Sequence, residues 1–84
     1  MIKILYFARL REQLGVAEEP FTLPAGDCTI ADLLAHLRRR GGLWADVLGE
    51  GETLMTAVNQ ELARPHTPVG DGDEVAIFPP VTGG

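Results

Sequence analysis

At 84 residues and 9.1 kDa, the chain falls below the roughly 100–200 residues of an ordinary domain, which excludes a second one. Its 45% hydrophobic and 23% charged content supplies a single core at a size where burial is only marginally sufficient, and excludes disorder along the whole length. The net charge of −5, from 12 acids against 7 bases, leaves little for counterion release at phosphates and argues against a nucleic-acid partner.

One cysteine, Cys28, precludes an internal disulfide, and small secreted domains often carry several bridges, so a cytoplasmic setting is expected. The apolar opening from Met1 to Arg9 is too short for a signal sequence. No window approaches the roughly 20 apolar residues of a membrane span, so a soluble, unexported chain is expected.

Residues 2–8 are apolar apart from Lys3 and rich in Ile, Leu, Tyr and Phe, which predicts a central strand. Residues 9–14 switch to helix formers, with Phe7, Leu10 and Leu14 at helical spacing and Gly15 placed to end the turn. Phe21-Thr22-Leu23, between Pro20 and Pro24, reads as a brief strand at an edge or paired with the first. The clearest signal follows, with Ile30, Leu33, Leu34 and Leu37 on one face of a helix over 29–40. Thr29 and Asp32 form a weaker version of a capping box, and Gly41-Gly42 stops the helix. Arg38, Arg39 and Arg40 near its end are expected to complement the macrodipole rather than to form a nucleic-acid patch.

Residues 43–48 predict a short helical turn and residues 49–52 a loop. Leu54 to Val58 reads as a strand, Asn59-Gln60 as its turn, and Leu62 as part of a short return strand. Gly70-Asp71-Gly72-Asp73 is a turn. Residues 74–78 form the last strand, with Val75 and Ile77 on one face and Ala76 and Phe78 on the other. This order predicts an α+β chain with a mixed sheet of about five strands and one principal helix packed across it, the β-grasp arrangement. A radius of gyration near 12 Å is expected for this size. Residues 1–78 would be the domain and 79–84 a flexible tail.

Few residues could carry catalysis. His36 lies beside the apolar stripe and His66 in a Pro-rich loop, neither with an evident carboxylate orienter, so both read as structural or solvated. Cys28 could hold a depressed pKa at the helix start, but a small apolar role under the cap is the simpler reading. Two histidines and one cysteine without Cys-x-x-Cys give no metal site, and Asp71 to Glu74 lacks the calcium-loop pattern. No glycine-rich phosphate loop is present, so no nucleotide or other cofactor is expected on the chain itself.

The ending is the unusual feature. Pro79-Pro80-Val81-Thr82-Gly83-Gly84 places a stiff dipeptide after a strand and then two residues without side chains, suited to threading a narrow cleft. Four residues beyond Pro80 can reach about 13 Å. The group presented is the Gly84 carboxylate, which at a pKa of about 3.3–3.7 is ionised and a poor electrophile, so its chemistry requires activation by a partner. A frayed end is the competing reading.

At residues 4–12, at Ala57-Val58-Asn59-Gln60, and above all from Asp71 to Gly84, the chain resembles the small, MoaD-type subunits of molybdopterin synthase, and the resemblance runs along its whole length. It implies a ubiquitin-like β-grasp fold, with Gly84 adenylated by a ubiquitin-activating-type, MoeB-like enzyme and converted to a thiocarboxylate. The tail Pro79, Pro80, Val81, Thr82, Gly83, Gly84 would then insert into a large, MoaE-type subunit. There sulfur would pass to cyclic pyranopterin monophosphate, two transfers making the dithiolene. The catalytic pocket would belong to the large subunit, in a heterotetramer of two small and two large chains. Phe7, Leu62 and Phe78 match apolar positions of the partner surface, with core packing as the alternative for each. Three other readings stay open: a ThiS-like carrier for thiazole synthesis, a ubiquitin-like modifier joined to lysines through Gly84, and an interaction domain with an irrelevant tail.

Overall fold

The computed structural model describes residues 1–23, 28–49 and 53–80. In chain order these give β1 (Ile2–Tyr6), α1 (Ala8–Leu14), β2 (Glu18–Phe21), β3 (Cys28–Thr29), α2 (Ile30–Arg38), α3 (Leu43–Val47), β4 (Met55–Val58), β5 (Glu61–Ala63), β6 (Pro68–Val69) and β7 (Glu74–Phe78). Five strands form one mixed sheet in the order β2-β1-β7-β4-β5, and β3 and β6 pair separately. Only the central β1–β7 pair of the large sheet is parallel, while β1–β2, β7–β4 and β4–β5 are antiparallel. The radius of gyration is 12.0 Å, as the chain length predicts.

The strand alternation sorts residues into two faces. Ile2, Ile4 and Tyr6 of β1 and Val75 and Ile77 of β7 meet Leu10 of α1, Ile30, Leu33 and Leu37 of α2, and Leu48 in a continuous core. The i, i+3, i+4, i+7 stripe of α2 therefore supplies the layer that covers the sheet, with Leu34 packed at its margin. Thr29 starts that helix through a complete capping box: its Oγ1 accepts from the Asp32 N–H at 3.3 Å, and Asp32 Oδ2 accepts from the Thr29 N–H at 3.0 Å. Asp32 thus does the work of the longer Glu usual at that position.

Three expectations are corrected. The second strand is Glu18–Phe21 rather than 21–23, because β1 sets its register, pairing Ile2 with Phe21 and Leu5 with Glu18. Pro20 is tolerated because β2 is an edge strand that need not offer every N–H. Phe7 does not share a helical face with Leu10 and Leu14. It caps α1 in an extended conformation, and the chain turns only at Ala8, whose φ is +53°. Finally, Arg40 lies beyond α2, whose last turn holds Arg38 and whose cap is Arg39. Rather than serving the helix dipole, Arg40 turns to Glu19 on β2.

Tyr6, Glu19, Arg40 and Trp44 form a cluster joining the sheet edge to the helices. Arg40 donates twice to the Glu19 carboxylate, at 2.7 and 3.0 Å, and the buried Tyr6 hydroxyl donates to the same carboxylate at 2.9 Å. The guanidinium stands 4.4 Å from the Trp44 ring centroid, and Trp44 meets Tyr6 edge-on at 5.6 Å. The Asn59-Gln60 turn is as expected, with φ of +50° and +72°, the backbone required of a two-residue hairpin.

Candidate functional site

The face of the sheet away from α2 is apolar over much of its width. Leu5, Ala57, Leu62 and Ala76 form one row, bounded at the β2 edge by Glu18, since Leu5 pairs with Glu18 and Ala76, Ala76 with Ala57, and Ala57 with Leu62. Met55 and Phe78 pair in the next. Phe7 extends this second row, because it follows Tyr6, the partner of Ile77, and its N–H donates to the Ile77 carbonyl at 3.2 Å. Among the described residues, none of Leu5, Phe7, Met55, Leu62 and Phe78 belongs to the core or packs against it. Phe7 is 44% and Leu62 73% exposed, while Phe78 is half-buried. An open antiparallel-type sheet face normally alternates to polar residues, and this one departs from that pattern in the direction that exposed interaction surfaces take.

The geometry brings Phe7, Leu62 and Phe78 onto one face, and Phe78 leads directly into Pro79 and Pro80, both partly buried. Val81, Thr82, Gly83 and Gly84 lie outside the described residues, as do Pro24 and residues 50–52 of the expected loop. Leu5, Met55, Ala57 and Ala76 also belong to this face. Leu5 and Ala76 were within reach of the period-two alternation of their strands. Met55 and Ala57 required the hairpin register set by Asn59 and Gln60.

Charge accumulates at the other end of the face. Lys3 pairs in register with Glu74, and its Nζ lies 3.4 Å from Glu18 Oε2. The Met1 ammonium pairs with Asp71. Asp73 accepts from the Gly70 N–H at 2.8 Å and from Asn59 Nδ2 at 3.0 Å, contacts that hold its carboxyl below the ordinary range. The apolar face therefore runs from a charged end to the exit of the tail.

Among the described residues, neither Cys28 nor the two histidines converge on this face. Cys28 is buried, and desolvation with the nearby Asp32 charge pushes its thiol pKa up, the opposite of an activated thiolate. His36 sits 6.5 Å from the Phe21 ring and His66 is exposed. Among the described residues no three His, Cys, Asp or Glu side chains are grouped to hold a metal, and no helix is long and apolar enough to cross a membrane. What the described residues offer is an apolar face that leads to Pro79 and Pro80.

Comparison with known proteins follows the same lines. The ThiS family model matches residues 4–84. The molybdopterin synthase sulfur carrier subunit of Escherichia coli K12 is 44% identical over 84 residues, covering all of both chains. Among solved structures, Haloferax volcanii small archaeal modifier protein 1 superposes with a TM-score of 0.78 at 30% identity, over 95% of this chain and 97% of that one. A complex of subunits 1 and 2 of the molybdopterin-converting factor from Helicobacter pylori contains a chain matching at a TM-score of 0.61 and 26% identity, over 99% of this chain and 97% of that one. The chain belongs to the ThiS family, and within it to the molybdopterin synthase sulfur carrier subunits.

Proposed function

We propose that the chain carries sulfur as a thiocarboxylate on Gly84 and delivers it to cyclic pyranopterin monophosphate within molybdopterin synthase. Residues 1–78 form the body and 79–84 the tail that enters the partner. The observation that carries this reading is the apolar face ending at Pro79-Pro80, on a chain that matches sulfur carrier subunits from end to end. The Helicobacter pylori pair of subunits supports a large-subunit partner for that face. Phe7, Leu62 and Phe78 would anchor docking, and truncating such an anchor to Ala should weaken binding by about 1–3 kcal/mol. Docking would hold the terminal sulfur against its acceptor.

In this scheme a MoeB-like enzyme in the cytoplasm adenylates Gly84. A sulfur nucleophile then attacks the acyl carbon, forming the C–S bond as the bond to AMP breaks. The large, MoaE-type subunit provides the catalytic pocket, in an assembly of two small and two large chains. The carrier brings no metal or cofactor of its own.

Intact-mass spectrometry after incubation with an activating enzyme, ATP and a sulfur source tests the first half of the scheme. One oxygen should be replaced by sulfur, and deletion of Gly84 should abolish the change. An unchanged mass, with a known carrier converting in the same mixture, would overturn it.

The likeness to small archaeal modifier protein 1 favours a second reading, a protein modifier joined to lysines through Gly84. A ladder of conjugates dependent on Gly84 would promote that reading. The thiazole carrier is less well supported, since the full-length match is to a molybdopterin synthase subunit.

A further inference from the structure

The basic side chains of this molecule are unequal in kind. Six of the seven are arginine and one, Lys3, is lysine. The difference bears on any chain with an activated carboxyl terminus. An uncharged amine attacks such an acyl carbon: the C–N bond forms, the bond to the AMP phosphate breaks, AMP departs and the ammonium proton goes to solvent. The resulting amide is a dead end for sulfur transfer. Lysine can make that attack, whereas a guanidinium is not deprotonated in proteins and does not.

Position follows the same division. Lys3 pairs with Glu74 at the start of β7, and the tail leaves from the other end of that strand. Phe78 and Pro79 each precede a proline and are biased to extended backbone, and the rings fix φ at both prolines. Continued in that conformation, the chain carries Pro80 about 19 Å beyond the level of Lys3. The four residues from Pro80 to Gly84 span at most about 13 Å. Lys3 would be met only by a tail doubled straight back at full stretch, and its Nζ is engaged by Glu18.

Arginines, by contrast, stand around the exit. Arg64 follows Ala63, which is level with Ile77 through Thr56. It therefore comes beside Phe78 two strands across, about 10 Å away. Arg9 lies two residues beyond Phe7, which is hydrogen-bonded to Ile77.

We propose that the cationic positions within reach of the terminus are arginine so that the activated chain does not acylate itself, and that the lone lysine is placed beyond that reach. The inference rests on the reading that Gly84 is activated. The test supplies the activation chemically, so its outcome is independent of whether a partner adenylates Gly84.

The full chain is prepared with a small alkyl thioester at Gly84 and held dilute at mildly alkaline pH without a sulfur source. Wild type, Arg64→Lys and Arg9→Lys are compared after circular dichroism shows all three folded. Intact mass separates the hydrolysed acid from an internal amide, which is lighter by one water, and peptide mapping locates the amide. Wild type should hydrolyse. At least one variant should form an amide at the substituted position about tenfold more than wild type forms any, because a tethered amine acts at an effective concentration of order millimolar. A smaller excess in both variants, or wild-type amide at Lys3 or at the Met1 amine in comparable yield, would overturn the proposal.

Discussion

Arg40 does more than its place after a helix suggests. It holds Glu19 through two charge-assisted hydrogen bonds and lies over Trp44, so one side chain ties β2 to the end of α2 and to α3. The pair is partly open to solvent, with side-chain exposures of 34% and 18%, which screens its electrostatic share. Arg40→Ala should therefore cost about 1–2 kcal/mol in urea unfolding. Arg40 holds the Glu19 carboxyl below its ordinary range, with Tyr6 adding to the effect. A depressed folded pKa stabilises above the unfolded carboxylate range, near pH 4.3, and that stability is lost as pH falls through the lower folded value. Burial and the Glu19 bond push the Tyr6 phenol up, so its contribution is present below about pH 10 and is lost as pH rises. Urea titrations should show a shallower acid slope for Glu19→Gln and a shallower alkaline slope for Tyr6→Phe. Unchanged slopes would remove the cluster from the stability account.

At the level of elements, α2 was the most legible, because its apolar period, capping pair and terminal glycines all point the same way. Thr29→Ala removes one reciprocal bond of the box and should lower stability by about 1 kcal/mol, read as an earlier urea midpoint with the same m-value. The last strand was equally clear, since its alternation already placed Val75 and Ile77 opposite Phe78. The β3–β6 pair was not legible: Cys28–Thr29 and Pro68–Val69 are too short to show a period, and their pairing is imposed by the surrounding fold. The position of β2 was missed because Pro20 looks like a boundary until the strand is known to lie at an edge. Nor does any residue type announce Ala8, which adopts a positive φ at a cost of about 1–2 kcal/mol. That turn leaves Phe7 on the strand's outward alternation rather than on the face of α1.

For the molecule as a whole, the fold separates two jobs. One face of the sheet builds the core with α2, and the other carries Leu5, Phe7, Met55, Leu62 and Phe78 toward the exit at Pro79. Alternation and the Pro-Pro-Val-Thr-Gly-Gly ending made this division readable at Phe78, whereas the full width of the face depended on pairing between distant strands. The basic residues follow a similar division, with arginine near the exit and Lys3 at the charged end. In the proposed scheme sulfur leaves this chain from Gly84 while a partner performs the catalysis. The most direct measurement uses a carrier labelled with radioactive sulfur in its Gly84 thiocarboxylate, mixed with large subunit and cyclic pyranopterin monophosphate. The label should move into the pterin, with two carriers consumed for each dithiolene formed and no transfer when the large subunit is omitted. Label remaining on a folded carrier bound to an active large subunit would contradict it.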